Sequence, residues 1–244
     1  MKKPSRNRRD HAPRSHRRAR DEREVRVLYE DDAVIALDKP AGLPAVPVAK
    51  NSNAPSAWSL LNDELKSRRQ RAFVVHRIDR FTSGILLFAK TARDRDALVQ
   101  QFLKHKPLRE YVAVIRGHLE QESATLVHYF RKEGQLQSLS AQKDPKAARA
   151  ELKYKLERKL RDASLLRVLL ITGLQNQIRV QFFAVGHPVI GDRKYHPKEA
   201  EERRIDRVAL HARRLEFVHP RTGKTITVES EMPKDLQHLI KSLN

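Results

Sequence analysis

The chain has no cysteine among its 244 residues. Disulfides, thiolate nucleophiles and zinc–thiolate centres are therefore excluded. It has only eight glycines, and none stands in the Gly-rich arrangement that cradles phosphates in Walker or dinucleotide-binding loops. The eleven histidines are scattered without HExxH or other paired-ligand spacing, so the sequence predicts no metal site. No window approaches the roughly 18 consecutive apolar residues that a membrane span needs. The N-terminal stretch also lacks the apolar core of a secretory signal. These gaps argue against nucleotide hydrolysis, hydride transfer and metal-dependent cleavage. A reaction that needs one carboxylate and neither metal nor cofactor stays open, in a protein read as cytoplasmic.

Positive charge is present in excess. The formal net charge is +20, and clustered Lys and Arg attract phosphate and release its counterions. Residues 1–24 hold ten Lys or Arg against four Asp or Glu, a net of +6, which leaves +14 on the remaining 220 residues. The body is thus basic in its own right, and a nucleic-acid partner fits better than a membrane, because no amphipathic membrane helix is evident. Residues 1–24 have almost no apolar side chains and are expected to form a mobile basic arm, with one folded unit over 25–244.

Patterning places strands at Val25–Glu30, Ala33–Lys39, Ile85–Lys90, Tyr111–Gly117, Leu152–Leu160, Leu165–Thr172, Val208–Phe217 and Thr225–Glu229. Helices are expected at Trp58–Lys66, after Thr91 as a cap with Asp94 in the first turn, over Gln175–Gly186, and at Pro233–Leu243. Residues 45–57 read as a polar surface loop, 118–149 as hairpins and loop, and 193–206 as a charged insertion. Strands outnumber helices without alternating with them, which predicts an α+β fold: a mixed, mainly antiparallel central sheet with flanking helices.

The segment His76-Arg77-Ile78-Asp79-Arg80-Phe81-Thr82-Ser83-Gly84 carries the clearest chemical signal. It sets one acid between two arginines in a strongly cationic chain. A carboxylate repels phosphate, so on a surface that meets a polyanion Asp79 needs another purpose, and chemistry on a bound nucleotide supplies one. The plain alternative is a turn-capping acid with solvated arginine neighbours. Ser83 lacks a nucleophile-elbow context and is expected to bond within its own turn.

Five segments in register resemble the RluA-type family of RNA pseudouridine synthases. They are Val27–Asp32 through Asp38-Lys39-Pro40-Ala41-Gly42-Leu43; His76–Gly84 with Ala89-Lys90-Thr91; Arg109–Ala113 through Gly117; Gln177–Val180 with Gly186–Asp192; and Leu210-His211-Ala212 with Leu215-Glu216-Phe217 and His219-Pro220. The resemblance spans about residues 25–240 and implies the family's fold, with a catalytic cleft between two halves. It implies isomerisation of uridine in structured ribosomal or transfer RNA, without metal or cofactor. Carried over, Asp79 is the catalytic carboxylate, Arg179 the arginine that pairs with it, and Tyr111 the pocket tyrosine that stacks on uracil and helps remove the carbon-5 proton. Arg77 matches an arginine that fills the gap left by a flipped-out uridine, and Arg80, Lys39 and His76 are expected to contact RNA. Where the family shows Thr-Gly-Arg-Thr-His-Gln-Ile-Arg, this chain reads Thr172-Gly173-Leu174-Gln175-Asn176-Gln177-Ile178-Arg179, so an arginine and a histidine at the pocket's rim are replaced. Asp38 likewise stands where the family usually has Asn.

The competing readings are a non-enzymatic RNA-binding or ribosome-assembly factor on the same fold, supported by the altered 174–176 segment, and a nuclease, disfavoured by the missing acidic ligand clusters. A monomer without an obligate protein partner is expected. The basic arm is read as an electrostatic tether. Deleting residues 1–24 is expected to weaken RNA binding and flatten the slope of log K against log salt by roughly a few units; binding isotherms across a salt series check this, and an unchanged slope would refute it.

Overall fold

Alternation and apolar runs in the sequence become an 11-stranded sheet in the computed structural model, which describes residues 25–49, 54–134, 136–196 and 204–244. The predicted basic arm, together with parts of the 45–57 loop and the 193–206 insertion, lies outside the described residues. The order along the chain is β1 (Arg26–Glu30), β2 (Val34–Lys39), α1 (Ala57–Lys66), β3 (Phe73–Val74), β4 (Ser83–Ala89), α2 (Ala92–Leu103) and β5 (Leu108–Arg116). It continues with β6 (Ser123–Glu133), β7 (Leu136–Ser140), β8 (Ala148–Lys159), β9 (Ala163–Leu170), α3 (Gln177–Ala184), β10 (Leu210–Val218), β11 (Thr225–Glu229) and α4 (Lys234–Ser242). The expected α+β class and mainly antiparallel sheet are found. No helix among the described residues is long and apolar enough to cross a membrane.

Local chemistry explains the boundaries. Asp31 turns the chain between β1 and β2 by accepting the amides of Ala33 and Val34, a side-chain mimic of a backbone turn. Ser56 and Ser59 form a capping box at the start of α1, and the Thr91 side chain accepts the Asp94 amide to start α2. Strand β4 is buried at every position, which its near-continuous apolar run requires of a strand covered on both faces. The two-residue strand β3 was not foreseen, being too short to show a period. Helix α3 is shorter than expected at both ends, because Asn176 leaves the helical region at φ 54° and Val185 already ends the turn.

Strand order is β1-β2-β4-β10-β5-β9-β8-β6-β7, with β11 on β10 and β3 on β4. All pairings are antiparallel except β4–β10. The late strand β10 thus joins the strands of the first half to β5 and those beyond it. Along this seam Gly84 pairs with Ala212, and Ala212 with Tyr111. The close approach demands glycine: at Gly84, with φ +104°, a Cβ would lie 2.2 Å from the Ala212 carbonyl oxygen.

One buried histidine ties the seam from inside. His211 is 1% exposed and lies with Nε2 3.2 Å from the Ser230 carbonyl and Nδ1 3.0 Å from Ser83 Oγ. A carbonyl only accepts, so Nε2 carries the proton and Nδ1 takes the Ser83 hydroxyl hydrogen. Ser83 therefore bonds across the sheet to β10 and not within its own turn as expected. Ser230 continues the chain by donating to Asp38 Oδ1 at 2.9 Å. His76 accepts the Leu87 amide at Nε2, 3.1 Å, and stacks on Phe102 with ring centroids 4.6 Å apart.

Both rings are held neutral by burial, which lowers the His211 pKa and brings that of His76 down to about 3, the charge on Arg109 adding to the effect on His76. The unfolded chain takes up a proton at His76 below about pH 6.5, whereas the folded chain does so only near pH 3. Stability from this residue is therefore complete above about pH 6.5 and is lost as pH falls, by about 2 kcal/mol at pH 5. Urea unfolding at pH 7 and pH 5 should show that His76→Gln shrinks the acid-induced loss by that amount, and an identical loss in both proteins would contradict the assignment.

Candidate active site

The loop that ends in β4 brings Asp79 to the sheet seam. Its backbone is closed by the Thr82 amide donating to the Asp79 carbonyl at 3.1 Å. A second loop, 40–43, clamps it: the Gly42 amide donates to the Arg80 carbonyl at 2.8 Å, and Arg80 Nε returns a bond to the Gly42 carbonyl at 2.8 Å. Between the two loops sits Lys39, 0% exposed, whose Nζ donates to the carbonyls of Pro40, Leu43 and Arg80 at 2.8, 2.9 and 3.0 Å. Burial pushes its pKa down to about 7, with Arg207 adding and Asp79 and Asp38 opposing. Three carbonyl acceptors in turn favour the ammonium form.

Helix α3 supplies the counter-charge from 100 residues away. Arg179 Nη1 lies 3.2 Å from Asp79 Oδ2, with the arginine side chain 7% exposed and the aspartate 25%. Asp192, 1% exposed, grips the other edge of the guanidinium in a two-point contact, Nε–Oδ2 2.8 Å and Nη2–Oδ1 2.6 Å. Such paired contacts fix a planar cation in orientation as well as position. Asn176 Oδ1 accepts from Nη1 at 2.9 Å, and the guanidinium carbon stands 5.2 Å from the centre of the Tyr195 ring. Burial disfavours the charge on Arg179, but Asp192 and then Asp79 more than offset this, and its pKa is raised.

The seat of α3 is equally well tied. Gln177 accepts from Thr172 Oγ1 and the Leu174 amide, and donates to the Glu151 carbonyl and Gln181 Oε1. Arg109 on β5 donates to the carbonyls of Ile171 and Thr172 at 2.7 and 3.2 Å. At Gly173 a Cβ would fall 2.6 Å from Arg109 Nη1, so a larger residue there would push the end of that side chain aside. Two residues along β5, Tyr111 is 8% exposed and packs in the same core cluster as Ile78 of the Asp79 loop. Burial raises its phenol pKa, Arg109 opposes, and the charge of Asp79 adds to the rise.

The structure thus brings Asp79 and Arg179 into contact, with Tyr111 packed in the core cluster that holds Ile78 of the Asp79 loop. It leaves Arg77 exposed beside them, and Arg80 exposed with its guanidinium 5.4 Å from the Phe81 ring centre. The expectation that Lys39 contacts RNA is corrected. Lys39 is fully buried with its three N–H groups spent on carbonyls, and His76 has its ring committed to Leu87 and Phe102. Sequence reasoning gave no role to Asp192, Asn176, Tyr195 or Arg109. For Asp192 the Gly191-Asp192 pair was a usable signal, whereas the others are recognisable only from their contacts.

Comparison with known proteins identifies the family. Residues 33–184 match the family described as RNA pseudouridylate synthase. The chain is 32% identical over 230 residues to the ribosomal large subunit pseudouridine synthase D of Zymomonas mobilis, covering 90% of this chain and 73% of that one. It is 36% identical over 231 residues to the protein of the same name from Xanthomonas campestris, covering 90% and 69%. Its fold matches the solved structure of human RNA pseudouridylate synthase domain containing 4, with a TM-score of 0.72 at 18% identity over 89% of this chain and 92% of that one. The chain belongs to the RNA pseudouridylate synthase family.

Proposed function

We propose that this protein isomerises specific uridines to pseudouridine in structured ribosomal RNA, with residues 25–244 as the catalytic unit and Asp79 as the catalytic carboxylate. The ribosomal substrate is the one that the names of its relatives carry. The single observation that carries the reading is the 3.2 Å contact between Asp79 and Arg179. Among many basic side chains, one carboxylate is paired with and aimed by a cation that is itself shielded from phosphate.

The chemistry follows from that pairing. Breaking the bond between uracil N1 and ribose C1′ leaves a cationic, oxocarbenium-like sugar centre. A carboxylate placed against it lowers the barrier by electrostatic support or by direct attack. The base then turns, C5 bonds to C1′, the C5 proton is removed, and N1 is protonated. No atoms are gained or lost, so the steps call for no co-substrate. Arg179 orients Asp79, and Tyr111 supplies a buried aromatic face for uracil and a phenol to assist loss of the C5 proton. A stacked uridine hides both bonds being remade, so the nucleotide must be flipped out; exposed Arg77 is read as filling the gap in the RNA and Arg80 as contacting its backbone. All three catalytic groups come from one chain, which supports action by a monomer without an obligate protein partner. A ribosomal substrate supports a cytoplasmic location.

Mapping pseudouridine across cellular RNA with and without the protein should reveal lost sites that wild type restores and Asp79→Asn does not. The purified Asp79→Asn variant should lose at least about 10³-fold in kcat while retaining RNA affinity within a few-fold. Full activity in that variant, or no site that depends on the protein, would overturn the proposal and leave an RNA-binding factor.

A further inference from the structure

Asn176 stands where the family pattern has histidine, and its side chain does something unusual for its place. It occupies the N-cap position of α3, where an asparagine ordinarily accepts a helix amide, yet it makes no such cap bond. Its amide is spent elsewhere. Oδ1 accepts from Arg179 Nη1 at 2.9 Å, and Nδ2 donates to the Tyr195 hydroxyl at 3.0 Å. The orientation is forced, because a guanidinium can only donate.

We propose that Asn176, braced by Tyr195, is a positioning residue that sets the tilt of the Arg179 guanidinium and so directs Nη1 at Asp79. This rests on the catalytic reading above. An Nη nitrogen carries two hydrogens, and Nη1 has two acceptors within reach, Asp79 Oδ2 and Asn176 Oδ1. Asp192 grips Nε and Nη2, which fixes that edge but leaves the plane free to hinge about it. Asn176 on the far edge and the Tyr195 ring on the face remove this freedom. Tyr195 is anchored in turn: it packs against Phe130, Ala150 and Val180, and its hydroxyl lies 3.4 Å from the Gln137 amide on β7. A neutral amide suits the position, since it holds a hydrogen without competing for the charge that Asp79 uses. Asparagine also tolerates the left-handed backbone at φ 54°.

The test combines kinetics with nitrogen-15 NMR of the Arg179 side chain in the full-length protein. Asn176→Gly keeps the left-handed backbone and deletes only the amide. It is expected to lower kcat by about 10- to 100-fold with KM little changed, and to merge the separate Nη hydrogen signals of Arg179 as the guanidinium becomes free to move. Asn176→Asp restores an acceptor but adds a negative charge. The separate signals should return, while the acid limb of kcat/KM moves to higher pH by about half a unit or more. Tyr195→Phe keeps the ring and removes the hydroxyl, and should act in the same direction as Asn176→Gly by about 3- to 10-fold; it serves if the glycine variant does not fold. Unchanged Arg179 signals in Asn176→Gly would overturn the proposal, whether or not kcat falls. If the unsubstituted protein isomerises no uridine, the catalytic reading fails on its own, and the NMR comparison still decides whether Asn176 holds the arginine.

Discussion

One planar cation joins the two halves of this sheet protein. The guanidinium of Arg179 spends Nε and Nη2 on Asp192 and Nη1 on Asn176 and Asp79. Burying such a charge is unfavourable unless nearly every donor finds an acceptor. The surrounding architecture meets that demand. Gln177 and Gln181 seat α3, Arg109 fixes the turn before it, and buried Lys39 holds the loop that presents Asp79. Lys39, Arg109 and Gln181 donate mainly to backbone carbonyls, so much of the site's geometry is set by main-chain positions.

The seam between β4 and β10 is the second constraint. Among the described residues only one pair of strands in the sheet runs parallel, and there Gly84 lets the Ala212 carbonyl come close. Because Ala212 also pairs with Tyr111, the loop entering β4 and the tyrosine of β5 are brought to the same region of the sheet. The chain from Ser83 through His211 and Ser230 to Asp38 locks this region from behind. Catalytic placement and sheet register are thus the same problem here, since a slip of one residue would turn Tyr111 to the opposite face.

Much of this was legible in the residues themselves. The apolar run Ile85–Phe88 gave the central strand, Thr91 and Asp94 gave the start of α2, and the acid between Arg77 and Arg80 gave the candidate carboxylate. What remained hidden had a common cause. Lys39 and His76 look from composition like cations facing RNA, but their roles depend on which carbonyls and rings surround them, and those come from residues tens of positions away. Ser83 was assigned to its own turn because its partner, His211, lies 128 residues downstream. Asn176 showed only as a departure from a family pattern. Its left-handed backbone and two side-chain bonds cannot be read from residue type.

The account turns on Arg179 acting through Asp79 and not as a phosphate contact. The most direct measurement is therefore the separate determination of kcat and RNA Kd for Arg179→Lys. A lysine ammonium cannot hold Asp192 in a two-point contact and still reach Asp79. The account predicts that kcat falls by at least about 100-fold while Kd stays within about twofold of the unsubstituted protein. A variant that turns over normally but binds RNA much more weakly would contradict it.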